Sequence, residues 1–117
     1  MAVLAVKRIY EDPAPTDGCR VLVDRLWPRG MSRERAALDH WFKDVAPSNE
    51  LRRWYGHEPD KWDDFRRRYR AELEAKPPVL EPLQRLLESE RKVTLLFSAK
   101  NETHNNAIAL AEYLRGE

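Results

Sequence analysis

Val21-Leu22-Val23 is the stretch that most limits how this chain can fold, because three successive apolar residues in a strand leave neither face for water. Such a strand is covered on both sides, as in parallel or mixed α/β sheets. The run breaks at once into Asp24-Arg25-Leu26-Trp27-Pro28-Arg29-Gly30. A covered strand that empties into charged groups at its C-terminal end is how open α/β sheets build ligand sites. A second run, Val93-Thr94-Leu95-Leu96-Phe97, repeats the arrangement and opens into Ser98, Lys100, Asn101, Thr103, His104 and Asn105. The two segments together mark the expected site.

A length of 117 residues is that of one domain, residues 1–117. No apolar run approaches the roughly 20 residues of a membrane span, and the N-terminal charges Lys7 and Arg8 follow the apolar residues, the reverse of a signal peptide. Cys19 is the only cysteine, so internal disulfides are excluded and a reducing, cytoplasmic setting is expected, with no membrane partner. A net charge of +1 gives no global pull towards nucleic acid or anionic lipid. The charge is uneven, however: residues 20–35 hold five arginines against the two acids Asp24 and Glu34.

Residues 3–10, 19–24 and 93–98 read as strands, with a turn-rich loop over Glu11 to Gly18. Ser32 can cap a short helix from Arg33, and Ser48 another through Leu51 and Trp54 to Gly56. Leu38, Trp41, Phe42 and Val45 have helical spacing, cut short by Pro47. Asp60 is expected to cap a helix carrying Trp62, Phe65, Tyr69 and Leu73 on one face. Pro77-Pro78 separates it from a helix with Leu80, Leu83, Leu86 and Leu87 inward, and a last helix covers roughly 103–115. The order predicts a single two-layer or three-layer α/β domain with a small, mostly parallel sheet flanked by helices.

The helix following strand 93–98 directs its first amides at the sheet's C-terminal edge, where its dipole favours an anion. Lys100, Ser98, Asn101 and Asn105 would add charge and hydrogen bonds. The same dipole disfavours an imidazolium at His104, which makes a neutral imidazole there a candidate general base. Arg25 and Arg29 can clamp an anion bidentately, with Asp24 orienting one of them or accepting a proton, and Trp27 as pocket wall. His57 sits between two helices, in the kind of loop where function often lives. The blander alternatives are a strand-end ion pair at Asp24 and plain helix capping by Thr103 and Asn105.

The run Arg66-Arg67-Arg68-Tyr69-Arg70 suggests nucleic acid, but Asp63/Arg67, Asp64/Arg68, Arg68/Glu72 and Arg70/Glu74 are i,i+4 pairs of opposite sign, so a solvated face is favoured. Metal binding by His57, His104 and Asp24 has no ligand spacing behind it, and Cys19 lacks an adjacent base. There is no Walker loop, GxGxxG, GxSxG or HExxH, so no cofactor is implied.

Asp17-Gly18, the run from Arg20 to Gly30, Ala46-Pro47-Ser48, Leu51-Arg52, Trp54, Gly56-His57, Trp62, Phe65, Tyr69, Glu72-Leu73, Thr94-Leu95-Leu96, His104-Asn105 and Ala111-Glu112-Tyr113-Leu114 form one pattern. With it the chain resembles domain-of-unknown-function family 488 (DUF488), in its short YeaO-like branch. The resemblance covers essentially the whole chain and implies an α/β fold in bacterial cytoplasmic proteins, with no established activity. Longer relatives carry Cys-His-Arg where this chain has Thr103-His104-Asn105, so of that trio only His104 carries over.

The leading expectation is a small enzyme that binds an anionic substrate between the two strand ends, a phosphate-bearing one being among the options. Arg25, Arg29 and Lys100 would hold charge, the backbone at 103–105 an oxyanion, and His104 or Asp24 would move a proton. The alternatives are a non-catalytic module for an anionic metabolite or nucleic acid, and a protein-interaction domain using helix 60–75.

Overall fold

A computed structural model describes residues 2–117. Four strands form one sheet: β1 (Val3–Arg8), β2 (Cys19–Leu22), β3 (His40–Trp41) and β4 (Lys92–Phe97), in the spatial order β1-β4-β2-β3. Every pairing is parallel, with Leu4 beside Val93 and Cys19 beside that same Val93 on its other side. The five α-helices are α1 (Arg33–Ala36), α2 (Asn49–Tyr55), α3 (Trp62–Ala75), α4 (Glu81–Ser89) and α5 (Asn106–Leu114). This is an α/β fold, and β2 and β4 lie side by side at its centre.

The sheet separates two cores of unequal size. Val21, Val23, Val93, Leu95 and Phe97 point into the larger, together with Leu51, Phe65, Tyr69, Leu73, Leu83 and Leu110 from the helices. Leu22 and Leu96 point the other way, onto Ile9, Met31 and Ala36, with Trp27 and Trp41 packed against them. All three residues of the Val21–Val23 run are therefore buried, each by the layer its own pleat faces. Helix α3 buries the expected stripe of Trp62, Phe65, Tyr69 and Leu73, each side chain contributing roughly 1.5–3 kcal/mol by leaving water.

Several elements differ from the sequence reading. The first two strands end earlier than 3–10 and 19–24, where the chain turns out of the sheet into its charged loops, and the third is as long as 93–98 but begins and ends one residue earlier. Leu38, Trp41, Phe42 and Val45 do not form a helix. Phe42 and Val45 join the larger core, Leu38 and Trp41 the smaller, and backbone bonds from Asp39 N to Arg20 O (2.9 Å) and Phe42 N to Leu22 O (3.0 Å) lay this segment along β2. Asp60 caps nothing: it sits in a 3-10 turn over Pro59–Lys61, and the residue before α3 is Lys61. The ion pairs of α3 are Asp63–Arg66 and Asp64–Arg67, three residues apart. Arg66 also reaches Glu112 of α5, and Arg68 lies 4.0 Å over the Trp54 ring. The last helix starts at Asn106, not 103, with Asn105 as its cap.

Towards the other end of the sheet lies a buried charge cluster. Asp17 pairs with Arg20 at 2.6 Å and Lys7 at 3.0 Å, and Arg20 also donates to Ala36 O (2.7 Å). These bonds hold the start of β2 to β1 and to the end of α1.

Candidate functional site

Because β2 and β4 are neighbours, Asp24 and Ser98 emerge next to each other from the two strand ends. The Asp24 carboxylate accepts from Ser98 N (2.9 Å), Ser98 Oγ (2.8 Å) and Asn106 Nδ2 (3.1 Å). A carboxylate has about four lone-pair positions, so most of its capacity is spent on β4 and α5. Its own carbonyl accepts from Trp41 Nε1 at 2.7 Å. Burial is the largest influence on the Asp24 carboxyl and pushes it above its ordinary value; the bonds from Ser98 and Asn106 and the charge of Arg52 pull the other way without prevailing. No carboxylate–guanidinium pair forms at Asp24 itself among the described residues.

These strand ends open into a cavity of about 330 Å³, walled by the 24–29 loop, Ala46, Pro47, Arg52, Tyr55, His57, Phe65, Ser98, Ala99, Asn105 and Asn106. Arg25 is steered there by long bonds from its guanidinium to Ala46 O (3.3 Å) and Pro47 O (3.5 Å). That backbone is itself fixed: Glu72 of α3 accepts from Ser48 N (2.9 Å) and Ser48 Oγ (2.6 Å), and Ser48 Oγ caps α2 through Leu51 N. Trp27 donates Nε1 to Met31 O (2.7 Å) and meets Trp41 edge-on, with ring centroids 5.4 Å apart. Arg29 is held by its backbone, whose carbonyl accepts from Tyr10 Oη (2.7 Å), and its side chain is exposed. His57 follows Gly56, and both adopt left-handed backbone, His57 at φ 59°. Such a conformation is unusual for a residue with a Cβ.

Among the described residues, no carboxylate oxygen lies within 4.0 Å of Arg25, Arg29 or Arg52, although the ion pairs elsewhere meet that distance. Asp24 is the only acid on the cavity wall. The wall therefore carries an excess of positive charge. The larger cavity, about 460 Å³ between α3 and α5, differs: three acids, Asp63, Glu112 and Glu117, line it beside Arg66, Arg67 and Arg70, and Asp63 and Glu112 both pair with Arg66.

Of the residues singled out in the sequence, Asp24, Arg25, Trp27, Arg29, His57, Ser98 and Asn105 gather on this wall. Asn105 is spent on structure, accepting from Ile108 N (2.9 Å) and donating to Asn101 O (2.9 Å). His104, Lys100 and Asn101 are not on the wall. His104 precedes the helix cap, packs on Trp62 with ring centroids 4.8 Å apart, and contacts Thr103 Oγ1 through Nδ1 (2.7 Å). His104 therefore lies outside the helix, not in its first turn as expected. Nor do the amides of 103 and 104 await an oxyanion, since both donate to Asn101 Oδ1 at 3.0 Å. Arg52 and Asn106 join the wall without having stood out as site residues. Arg52 arrives because α2 packs back over the strand ends, a placement that only tertiary structure supplies.

Among the described residues, no three His, Cys, Asp or Glu side chains cluster so as to hold a metal ion, and no helix is long and apolar enough to cross a membrane. Burial pushes the Cys19 thiol up to about 11, against thiolate chemistry.

The family model described as "Inactive DUF488-N3 subclade" matches residues 3–117. The chain is 44% identical over 111 residues to the uncharacterised protein YeaO of Escherichia coli (strain K12), covering 93% of this chain and 94% of that protein. It is 42% identical over 111 residues to the uncharacterised protein Rv3073c of Mycobacterium tuberculosis (strain ATCC 25618 / H37Rv), covering 95% and 92%. No solved structure matches the chain.

Proposed function

From the chain's membership of domain-of-unknown-function family 488, we propose that it is a non-catalytic module that binds a small anionic ligand at the C-terminal ends of β2 and β4. The observation that carries this reading is the cavity where Arg25, Arg29 and Arg52 converge while the one wall carboxylate is engaged with Ser98 and Asn106. Guanidinium groups with unspent N–H donors suit a carboxylate or phosphate better than any neutral ligand. Binding is favoured over turnover for two reasons. Asp24 is committed to holding β2, β4 and α5 together, and the matched subclade is described as inactive. A bacterial cytoplasmic setting goes with this reading, given one buried thiol and relatives in Escherichia coli and Mycobacterium tuberculosis.

The test is a thermal-shift screen of phosphate, sulfate and simple carboxylates on the wild type beside Arg52→Gln. Arg52 is exposed, so its replacement leaves the core intact. A ligand at 100 times its Kd adds about 2.7 kcal/mol, worth roughly 10 °C for a domain of this size. A shift that disappears in Arg52→Gln supports the reading. No shift with any anion, or an equal shift in the variant, refutes it.

A further inference from the structure

We propose that the ligand is an organic phosphomonoester, a phosphate carried on an apolar or aromatic body, rather than a bare inorganic anion; this rests on the anion-binding reading above. Size is the first ground. Liquid water takes about 30 Å³ per molecule, so a cavity of about 330 Å³ is far larger than one tetrahedral ion needs.

The character of the wall is the second. Trp27, Pro28, Pro47, Tyr55 and Phe65 all contribute to it. The donors of its two amphipathic rings are already used: Trp27 Nε1 on Met31 O (2.7 Å) and the Tyr55 hydroxyl on His104 O (3.1 Å). The prolines have no N–H. These residues therefore offer carbon to an occupant, and water there finds few partners. An apolar body on the ligand would release that water, which a bare ion cannot do.

The choice of phosphate over carboxylate follows from the charge. Arg25 and Arg29 come from one loop and Arg52 from α2, so three guanidiniums approach from different parts of the chain. A carboxylate monoanion is satisfied by one bidentate arginine, whereas a phosphomonoester carries close to two charges and three peripheral oxygens. The body also meets a polar group. Both amide hydrogens of Asn106 are used, on Val23 O and Asp24 Oδ1 (each 3.1 Å), and its Oδ1 has no donor among the described residues. That oxygen can accept from a hydroxyl or amine on the ligand.

The experiment is calorimetric titration of the full chain with inorganic phosphate, phenyl phosphate and benzoate, repeated on Arg52→Gln and on Leu26→Ser. Leu26 lines the cavity and is 58% exposed, so its replacement does not disturb the core. Phenyl phosphate is expected to bind at least tenfold more tightly than either inorganic phosphate or benzoate. Arg52→Gln should weaken both phosphates about tenfold, while Leu26→Ser should weaken phenyl phosphate alone, by about threefold. Equal affinities for phosphate and phenyl phosphate, both dependent on Arg52, overturn this inference and leave anion binding standing. Benzoate binding as tightly as phenyl phosphate overturns the phosphate assignment, and phenyl phosphate binding that ignores Arg52 overturns the location. Failure of every anion refutes the anion-binding reading itself. Backbone amide shifts at Ser98 and Asn106 on adding phenyl phosphate give a second readout that needs no variant.

Discussion

Replacing Asp24 separates a structural tie from a freely titrating acid. Its carboxylate accepts three hydrogen bonds, at 2.9 and 2.8 Å from Ser98 and 3.1 Å from Asn106. Hydrogen bonds to a charged group are worth about 1.5–3 kcal/mol each. The loss in Asp24→Ala is smaller than three such bonds, because Ser98 Oγ and the Asn106 amide border the cavity and can turn to water. The variant also escapes the cost of burying the charge. The Ser98 amide is the donor that cannot move, so the net loss is about 2–3 kcal/mol. Unfolding entropy of roughly 2.1 cal/mol/K per residue makes each kcal/mol worth about 4 °C in a chain of this length, so Tm should fall by roughly 8–12 °C.

Asp24→Asn keeps an acceptor for Ser98 but sets an amide donor against Asn106 Nδ2, at a cost of about 1 kcal/mol. Its pH dependence is the sharper test. Burial raises the folded-state pKa of Asp24 above the ordinary 3.8, so between the two values the folded chain holds the proton that the unfolded chain has lost. Stability contributed by Asp24 is thus complete below the unfolded pKa and declines as pH rises through the folded one. The neutral asparagine does not titrate. Urea unfolding followed by tryptophan fluorescence should show the cost of Asp24→Asn to be greater at pH 3.5 than at pH 7. A cost that grows towards pH 7 would mean that folding stabilises the carboxylate, and the reasoning would be wrong. Unchanged stability in Asp24→Ala would remove the tie altogether.

Gly18→Ala should cost about 3 kcal/mol or more in urea unfolding, because φ is +66° and a Cβ would lie 2.5 Å from Lys92 O; Gly30→Ala, with nothing within 4 Å and φ +74°, should cost only about 1 kcal/mol. At Asp17, burial alone would raise the pKa, but the Ala14 amide, Lys7 and Arg20 together outweigh it and hold the carboxyl below 3.8. Asp17→Asn should therefore cost about 3–5 kcal/mol near neutral pH, and in acid unfolding the gap from wild type should close as pH falls through the folded pKa.

Sequence disclosed most where local pattern and tertiary outcome coincide. Val21-Leu22-Val23 could only be a strand covered on both faces, and the Trp62, Phe65, Tyr69, Leu73 stripe could only face a core. Ser48 caps α2 as its position suggests. The edge strand β3 was hidden because its pairing uses backbone atoms of residues 20 and 22, which leave no mark on the sequence of residues 38–45. The apparent helical spacing there has a different origin, since its four apolar residues divide between the two cores. The start of α5 was misread for a local reason: the Asn101 carboxamide takes the amides of Thr103 and His104, so the helix cannot begin until Asn105. Arg52 and Asn106 were missed because α2 and α5 bring them to the strand ends from far along the chain.

The charge of the site follows from this arrangement rather than from composition. The chain as a whole is nearly neutral, at +1, and its acids are placed to neutralise bases elsewhere. Asp17 takes Lys7 and Arg20, Asp63 and Glu112 take Arg66, and Asp64 takes Arg67. At the strand ends the one acid is turned inward onto Ser98 and Asn106, closing β2, β4 and α5 into a single frame. Glu72 of α3 is likewise engaged, holding Ser48 through its amide and hydroxyl. A carboxylate spent on the frame is one that does not neutralise a guanidinium at the cavity, where Arg25 and Arg52 find only neutral oxygens, on Ala46, Pro47 and Asn49. The same bonds that make the wall rigid therefore make it cationic, so a variant that loosens the frame should weaken anion binding even when no arginine has been changed.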